Sequence, residues 1–204
     1  LKYDVRIIAS SLEDSVPSGA RAWAGNPKVT YIGHDISMHE EHIFRKLNKP
    51  DLMIHLAWEG LPDYFNLVHI EKCLFDSYRF AKRMIEGGLK DLTVTGTCFE
   101  YGLKNGALSE EMETSPVMPY ALAKDTLRKF MEELRRKHDF SFKWLRIFYL
   151  SGKSLRGASL LSRLDEAVER GDKVFNMSPG DQLRDFLPVK TLAEYICAIA
   201  LNGG

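Results

Sequence analysis

Residues 95–102 read Thr-Gly-Thr-Cys-Phe-Glu-Tyr-Gly, and residues 118–124 read Met-Pro-Tyr-Ala-Leu-Ala-Lys. The first stretch follows an apolar run, which predicts a β-strand with the hydroxyl of Thr97 near its end. The second predicts the start of a helix, because Pro119 suits a first-turn position and an apolar helical pattern continues beyond it. Tyr120 and Lys124 are four residues apart on that helix, so their side chains point to the same side.

The Tyr-x-x-x-Lys pattern occurs three times in the chain, so the context must decide which copy carries chemistry. Tyr78 and Lys82 lie in a long amphipathic run with no hydroxyl-bearing strand end before it, which favours a surface tyrosine and a solvated lysine. Tyr149 and Lys153 flank a predicted strand exit and turn, so their side chains need not share a helix face. Only the third copy combines a helix start with a preceding strand end.

Short apolar runs rich in β-branched residues alternate with helical patterns along the chain. The predicted strands are 5–9, 29–32, 52–57, 92–95 and 142–150, and the predicted helices lie near 39–47, 65–86, 120–137, 158–170 and 191–201. This alternation predicts an α/β fold with a doubly wound parallel sheet covered by helices, in three layers. Since ligands bind at the carboxyl ends of such strands, we expect Asp35, His55–Trp58, Thr95–Thr97 and Tyr149–Ser151 to meet at one rim.

The hydroxyl, the phenol and the amine have a common chemical rationale. A free tyrosine has a pKa near ~10, too high for a base at neutral pH, and a nearby lysine ammonium favours the phenolate and lowers that pKa. We expect Tyr120 to exchange a proton with a carbinol or carbonyl oxygen that Thr97 holds, while hydride moves to or from a nicotinamide. Lys124 would also reach a ribose hydroxyl of that cofactor. The pattern therefore predicts a redox enzyme.

The composition argues against several other classes of protein. The 204 residues are 45% apolar and carry 28 basic against 28 acidic side chains, which fits one globular domain without a nucleic-acid-binding surface. No apolar stretch approaches the ~20 residues that span a bilayer, and no signal peptide is recognisable. Three cysteines without paired spacing suit a reducing cytoplasm. The run His39-Glu40-Glu41-His42 has the wrong spacing for a zinc-protease motif, so no metal site is predicted.

From residue 5 to residue 201 the sequence resembles the extended short-chain dehydrogenase/reductase family of nucleotide-sugar epimerases, reductases and dehydratases. Gly33-His34-Asp35-Ile36 is similar to the family's Gly-Asp-Leu segment, which flanks the adenine. His55-Leu56-Ala57-Trp58 matches the segment after the family's fourth strand, which passes beneath the cofactor. The segment 146–152 corresponds to the strand that leads toward the substrate, and 183–189 resembles the family's Arg-Asp-Phe segment.

The resemblance also implies roles for individual residues. Thr97, Tyr120 and Lys124 fall on the catalytic hydroxyl, tyrosine and lysine of the family. The implied cofactor-binding residues, for NAD or NADP, are Asp35, Ile36, Leu56, Ala57, Trp58, Thr95, Tyr120, Lys124 and Tyr149. The implied binding residues for a nucleotide-diphosphate sugar are Thr97, Cys98, Phe99, Tyr149 and Arg184, the arginine gripping the diphosphate. Trp58 and Phe99 could be ordinary packing residues or aromatic walls of a sugar site.

The resemblance further implies a division into parts and an assembly. Residues 1–150 would form the Rossmann-like NAD(P)-binding domain, 151–190 a small substrate-binding lobe, and 191–204 a helix that packs back on the core. Relatives pair two helices to make a dimer, so we expect a homodimer through the helices near 65–86 and 120–137. No membrane partner and no nucleic acid are expected.

Departures from the family pattern narrow the expected activity. Dehydratases of the family carry Asp-Glu directly after the catalytic threonine, where this chain has Cys98-Phe99, so dehydration is disfavoured. The wording of residues 96–102 is most similar to bacterial reductases and epimerases that act on 4-keto-6-deoxy sugar nucleotides for surface polysaccharide synthesis. Three functions stay open: NAD(P)-dependent reduction at C4, 4-epimerisation with tightly bound NAD, and a non-catalytic nucleotide-binding or interaction protein of the same fold.

The family's first strand and its glycine-rich turn, which bind the cofactor pyrophosphate, have no counterpart in the sequence. Leu1 begins a stretch similar to the approach to the family's second strand, and relatives continue further at the other end. We therefore expect a fragment of a longer enzyme, with poor cofactor affinity if the truncation is native. Ile8-Ala9-Ser10-Ser11 lacks the acid that NAD enzymes place there, which leans toward NADP, although Glu13 or Asp14 could supply it.

Several candidate residues have a purely structural alternative. Arg184 could form an ion pair with Asp185 instead of binding a ligand. Cys98 is expected to be a small core-facing residue, since nothing near it in sequence clearly lowers the pKa of its thiol. Asp35 could simply cap the helix predicted to begin near Met38.

Overall fold

The computed structural model describes residues 4–17, 23–152 and 160–202. In these ranges the strands are β1 Ile7–Ala9, β2 Val29–Tyr31, β3 Leu52–His55, β4 Asp91–Thr97, β5 Ser141–Ile147, β6 Tyr149–Ser151 and β7 Phe186–Pro188. The helices are α1 Ile43–Lys46, α2 Leu74–Gly87, α3 Pro119–Arg135, α4 Leu160–Arg170 and α5 Val189–Leu201. A π-helical turn, His69–Cys73, runs directly into α2, and a 3₁₀ turn, Cys98–Tyr101, follows β4.

Every strand pair among the described residues is parallel, which confirms the α/β fold with a parallel sheet. The strands form three hydrogen-bonded groups: β1 with β2, β3 with β4 and β5, and β6 with β7. The strand predicted at 142–150 is interrupted at Phe148, because its partner β4 turns away after Thr97 and the chain then pairs with β7 instead. Thr97 is therefore the last residue of β4, opposite Ile147.

The hydrophobic core lies between the β3–β4–β5 sheet and the helices α2 and α3. β4 is the middle strand of the three and is mostly buried. The buried side chains of this core include Phe80, Met84, Leu92, Val94, Leu127 and Met131. Burying one such side chain is worth roughly 1.5–3 kcal/mol relative to leaving it exposed. Because β4 and α3 share this core, the end of the strand is held against the first turns of the helix.

The helix predicted near 39–47 is much shorter than expected. α1 begins only at Ile43, and it ends where Asn48 and Lys49 take positive φ values of 58° and 49°. Asp35 does not cap this helix. Its carboxylate accepts a hydrogen bond from the Ser37 N–H at 2.8 Å and so closes a turn well before α1.

The helices predicted near 120–137 and 191–201 are confirmed as α3 and α5. The helix predicted near 158–170 is seen from Leu160 onward, since its first two positions lie outside the described residues. The helix predicted at 65–86 starts later, with the π-helical turn before α2. Single-turn π-helices are rare and often occur at functional sites.

Candidate active site

The structure brings the three predicted catalytic groups together in a nearly closed environment. Thr97 ends β4, while Tyr120 and Lys124 lie in the first turns of α3. Their exposed fractions are only 5%, 8% and 3%. The Lys124 ammonium nitrogen lies 6.0 Å from the centre of the Tyr120 ring, and Thr97 is among the groups that shift the pKa of Tyr120.

The predicted effect of the lysine on the tyrosine is wrong in this state. Burial raises the pKa of Tyr120 above its ordinary value, Tyr64 and the charge of Glu100 add to that, and the nearby Thr97 hydroxyl lowers the pKa by less. Burial also lowers the pKa of Lys124 from 10.5 to about 7. A lysine that is itself desolvated is a weak source of positive charge, so Tyr120 remains a protonated phenol.

Lys124 is bound to groups other than Tyr120. Its Nζ donates a hydrogen bond to the Thr95 carbonyl oxygen at 2.8 Å, and it lies 4.0 Å from the centre of the Trp58 ring. Both contacts join residues that the sequence assigned to the cofactor site. The end of β4, the segment after β3 and the start of α3 therefore converge on this amine.

His69 is a buried member of the site that sequence reasoning missed. The Trp58 Nε1–H donates to His69 Nδ1 at 3.1 Å, and His69 Nε2 lies 2.8 Å from the Asp63 carbonyl oxygen. Because Nδ1 accepts, these partners assign the proton to Nε2, which donates to Asp63. The imidazole also contacts the Tyr120 ring edge-on, with 5.2 Å between ring centres. Its position in the π-helical turn gives no periodic signal in the sequence.

A row of aromatic rings leads from Tyr120 toward the predicted substrate residues. The ring of Tyr64, a second residue that the sequence did not indicate, lies 5.5 Å from Tyr120 and 5.3 Å from Phe99. Phe99 in turn contacts Tyr149 at 6.3 Å, and the Arg184 guanidinium carbon lies 4.4 Å from the centre of the Tyr149 ring. Arg184 is exposed and also donates a hydrogen bond to Gln182.

The remaining cofactor candidates lie at the carboxyl ends of β2 and β3. His34 and His55, which mark these two ends, both contact the Phe80 ring at 5.8 Å. The segment with Asp35 and Ile36 is thus brought near the segment with Leu56 and Ala57. Leu56 is 58% exposed and Ala57 is also exposed, so an apolar surface follows β3 directly.

The other candidates resemble ordinary structural residues more closely. Burial raises the pKa of the Cys98 thiol, which agrees with a core-facing residue and not with a reactive one. Tyr78 packs against Phe130, and Lys82 pairs with Glu86 on the exposed side of α2. Lys153, from the third Tyr-x-x-x-Lys copy, lies outside the described residues.

Two cavities of about 420 and 430 Å³ lie away from Tyr120, around Arg128 and Arg146. Tyr120 itself is covered by the segment with Tyr64, whose carbonyl oxygen accepts the Tyr120 backbone N–H at 3.1 Å. Within the described ranges there is no group of three or more His, Cys, Asp or Glu that could hold a metal ion. None of the helices described is long and apolar enough to span a bilayer.

The sequence profile of the NAD dependent epimerase/dehydratase family matches residues 7–204. The chain belongs to this family. Members of the epimerase/dehydratase family are NAD-dependent enzymes of nucleotide sugars. The match covers the strands, the helices and all of the predicted site residues.

One relative and two solved structures are similar to the chain. A dTDP-6-deoxy-L-talose 4-dehydrogenase (NAD(+)) from Aggregatibacter actinomycetemcomitans is 25% identical over 167 residues, which are 81% of this chain and 62% of the relative. A UDP-N-acetylglucosamine 4-epimerase from Methanobrevibacter ruminantium M1, solved with UDP-N-acetylmuramic acid, has a TM-score of 0.82 at 19% identity. MoeE5, solved with UDP-glucuronic acid and NAD, has a TM-score of 0.78 at 22% identity. The alignments cover 96% of this chain but only 65% and 64% of these two structures.

Proposed function

We propose that the protein is an NAD-dependent oxidoreductase that reduces the 4-keto group of a nucleotide-diphosphate 6-deoxyhexose. The observation that carries the proposal is the buried cluster of Thr97, Tyr120 and Lys124, in which the phenol keeps its proton. The 4-dehydrogenase relative supports the choice of C4, since it is named for the reverse reaction at that carbon.

The residues around Lys124 fit a nicotinamide cofactor. An ammonium group has three N–H donors, and the bond with Thr95 uses one of them, so donors remain for a ribose hydroxyl. The exposed surface of Leu56 and Ala57 beside it suits the flat, apolar face of a nicotinamide ring. When bound, the nicotinamide would supply the hydride. Asp35 and Ile36, at the end of β2, would lie on the adenosine side.

The reported relatives favour NAD over NADP as that cofactor. The 4-dehydrogenase is named with NAD(+), and MoeE5 was solved with NAD. We therefore propose NAD. The absence of an acid at Ser10 and Ser11, which favours NADP, is the weaker indication.

Tyr120 and Thr97 would act on the carbonyl oxygen of the sugar. The Phe99 N–H donates to Thr97 Oγ1 at 3.3 Å, so the hydroxyl proton of Thr97 is available to donate to a substrate oxygen. Tyr120 would then protonate the alkoxide that forms at C4. A phenol is protonated at neutral pH even at its ordinary pKa near ~10, and reduction needs Tyr120 in that form.

The substrate would extend from this centre along the aromatic row. Cys98 and Phe99 follow Thr97 directly, and Tyr149 continues the row to Arg184. An arginine guanidinium binds diphosphate oxygens with two parallel hydrogen bonds, so we assign Arg184 to the diphosphate. The pair β6–β7 with α4 would form the substrate-binding lobe at 151–190.

The test is the oxidation of NADH in the presence of a nucleotide-diphosphate 4-keto-6-deoxyhexose. We expect one equivalent of NADH to be consumed per product, and Tyr120→Phe to lower kcat by about 10³-fold without unfolding the protein. Tyr78→Phe is the matched control, because it changes a tyrosine in the same Tyr-x-x-x-Lys pattern on α2, and it should leave the rate unchanged. An unchanged rate in the Tyr120 variant would contradict the proposal.

The same assay separates the other two functions. A 4-epimerase would interconvert two nucleotide sugars without net consumption of cofactor, and it would keep NAD through gel filtration. A non-catalytic nucleotide-binding protein would show neither reaction while still binding the nucleotide sugar.

We also propose that a second copy of the chain covers the outer sides of α2 and α3. Phe75 on α2 is 40% exposed and Leu122 on α3 is 45% exposed. Phe75→Glu should therefore shift the protein from dimer to monomer in sedimentation velocity. A wild-type protein that sediments as a monomer would contradict this assembly.

A further inference from the structure

Glu100 is a completely buried acid that the mechanism above does not use. Its carboxylate accepts hydrogen bonds from the Thr97 N–H at 2.8 Å and from the Arg146 Nε at 2.8 Å. The Trp144 Nε1 lies 3.1 and 3.0 Å from the two Glu100 carboxylate oxygens, and its N–H donates to them. Three donors therefore converge on one carboxylate that is 0% exposed. A buried acid is tolerated only when it is paired and hydrogen-bonded in this way.

The strand register explains how these partners meet. In β5, Trp144 and Arg146 are two residues apart, so they share one face of the sheet, and they lie opposite Val94 and Gly96 of β4. A Cβ at Gly96 would overlap both the Trp144 Nε1 and the Glu100 carboxylate. Because Gly96 has no side chain, the Glu100 carboxylate can pack against it once the 3₁₀ turn has reversed the chain.

The contact with Thr97 closes a reciprocal capping box at the end of β4. Glu100 accepts the Thr97 backbone N–H, while Thr97 Oγ1 accepts the Phe99 N–H. The two bonds fix both the backbone and the side-chain direction of Thr97. A hydroxyl whose acceptor side is fixed can direct its proton to only a narrow region.

Arg146 extends this arrangement to the segment that follows. Its NH1 donates to the Tyr101 hydroxyl at 3.1 Å and to the Glu110 carbonyl oxygen at 3.2 Å. The guanidinium also lies over the Tyr101 ring at 4.7 Å. Arg146 therefore points into the protein and pairs with Glu100, although the resemblance implies that its strand leads toward the substrate.

We propose that Glu100 is a positioning residue, whose carboxylate, held by Arg146 and Trp144, fixes the Thr97 N–H and so aims the Thr97 hydroxyl at the reacting oxygen. The inference rests on the proposed function for the identity of that oxygen. Glu100 does not touch the substrate in this arrangement. It acts through Thr97.

Two matched double variants separate positioning from charge balance. Glu100→Gln with Arg146→Met removes both charges but keeps an amide oxygen that can accept the Thr97 N–H. Glu100→Ala with Arg146→Met removes the same charges and also the acceptor. We expect the first to keep kcat within about tenfold of the wild type and the second to lose about 100-fold, the loss that a displaced catalytic group causes. KM should change less than about threefold in both, since ground-state binding is untouched.

Equal kcat values in the two double variants would overturn the proposal, because a purely structural charge pair does not depend on the acceptor. Glu100→Asp keeps the buried charge for Arg146 and thus the fold, but its shorter side chain withdraws the oxygen from Thr97. It should lower kcat with little change in KM. Wild-type kcat in this variant would also count against the proposal.

Asp91→Asn is the control for loss of an ion pair between the same two strands. Asp91 pairs with Lys143 at 2.6 Å, at the other end of β4 and β5. This variant should reduce the melting temperature but leave kcat unchanged. If it lowers kcat as much as Glu100→Asp does, the effect is general and the proposal fails.

Hydrogen exchange at the Thr97 amide tests the same idea without turnover. We expect the Thr97 amide to exchange faster in Glu100→Asp than in the wild type, with no change in Asp91→Asn. Unchanged protection at Thr97 would overturn the proposal. A wild-type protein that lacks reductase activity would instead contradict the proposed function, and the exchange result would still decide whether Glu100 holds Thr97.

Discussion

The ammonium nitrogen of Lys124 lies 4.0 Å from the centre of the Trp58 ring and donates its hydrogen bond to the Thr95 carbonyl. Both partners are uncharged, so the amine is buried without a direct counter-ion among them. Burial accordingly lowers its pKa to about 7. The site holds a lysine at a cost in stability, which ligand binding can offset.

Replacing Lys124 by Met should stabilise the protein near neutral pH. The folded pKa, about 7, lies below the ordinary 10.5, so the unfolded chain binds more protons between these values and stability rises with pH across that window. We expect K124M to gain about 2 kcal/mol near pH 7. The gain should shrink toward ~pH 10, as urea unfolding at several pH values can measure.

The same variant should lose reductase activity at every pH. If the wild type is more stable than K124M at neutral pH, the buried Lys124 does not destabilise the protein and this prediction is wrong. Lys82→Met, which removes the lysine of the exposed Lys82–Glu86 pair, is the matched control and should change stability by less than ~0.5 kcal/mol.

Trp58 and His69 should behave as a coupled pair. His69→Leu leaves the Trp58 indole N–H without its partner, which costs roughly 1–3 kcal/mol in a buried setting. Trp58→Phe removes the donor and should cost less. The double variant should lose less unfolding free energy than the two single variants lose together. Thermal unfolding of the wild type, the two single variants and the double variant measures this difference. Strict additivity would mean that the hydrogen bond contributes nothing.

Arg184→Met should raise the KM for the nucleotide sugar by about 10-fold or more, because a charge-assisted contact with the diphosphate is lost. Its effect on kcat should be small, since Arg184 lies at the far end of the aromatic row from Tyr120. Arg184→Lys should recover only part of the affinity, because an ammonium cannot bind bidentately. Arg136→Met, which changes an exposed arginine after α3, is the control. An equal rise in KM in this variant would contradict the assignment of Arg184 to the diphosphate.

Gly96→Ala should destabilise the protein by roughly 1–3 kcal/mol, because its methyl group would overlap the Trp144 and Glu100 side chains. Gly106→Ala gives the comparison. Gly106 has a positive φ of 89° with no neighbour within 4 Å, so this change isolates a backbone cost of roughly 1–2 kcal/mol. Chemical denaturation of both variants measures the two costs. A smaller loss at Gly96 than at Gly106 would show that the network can move aside.

The sequence predicted those features that depend on local spacing. Tyr120 and Lys124 share a helix face because four residues separate them, and Thr97 ends a strand whose apolar pattern is visible. The electrostatics of the same residues depend on what covers them. The segment with Tyr64 buries Tyr120 and reverses the expected direction of its pKa shift, and no local pattern indicates this.

Features that arise from pairing between distant segments were also missed. The break at Phe148 follows from the early end of β4, which a continuous apolar run at 142–150 cannot reveal. The role of Arg146 was missed for a similar reason, because only the register with Gly96 turns it toward Glu100. The structural alternative for Asp35, a helix cap, is wrong, because α1 begins later and the Asp35 carboxylate closes a turn instead.

One of the three tryptophans in the chain, Trp58, lies where we propose that the cofactor binds. Trp58 contacts Lys124 directly, and Trp144 donates to Glu100, whereas Trp23 stacks on Tyr31 beside β2. The intrinsic fluorescence of the protein is therefore a label-free reporter of occupancy. Titration with the dinucleotide cofactor should quench the emission of the wild type and quench that of Trp58→Phe much less. This result would place the bound cofactor beside Trp58.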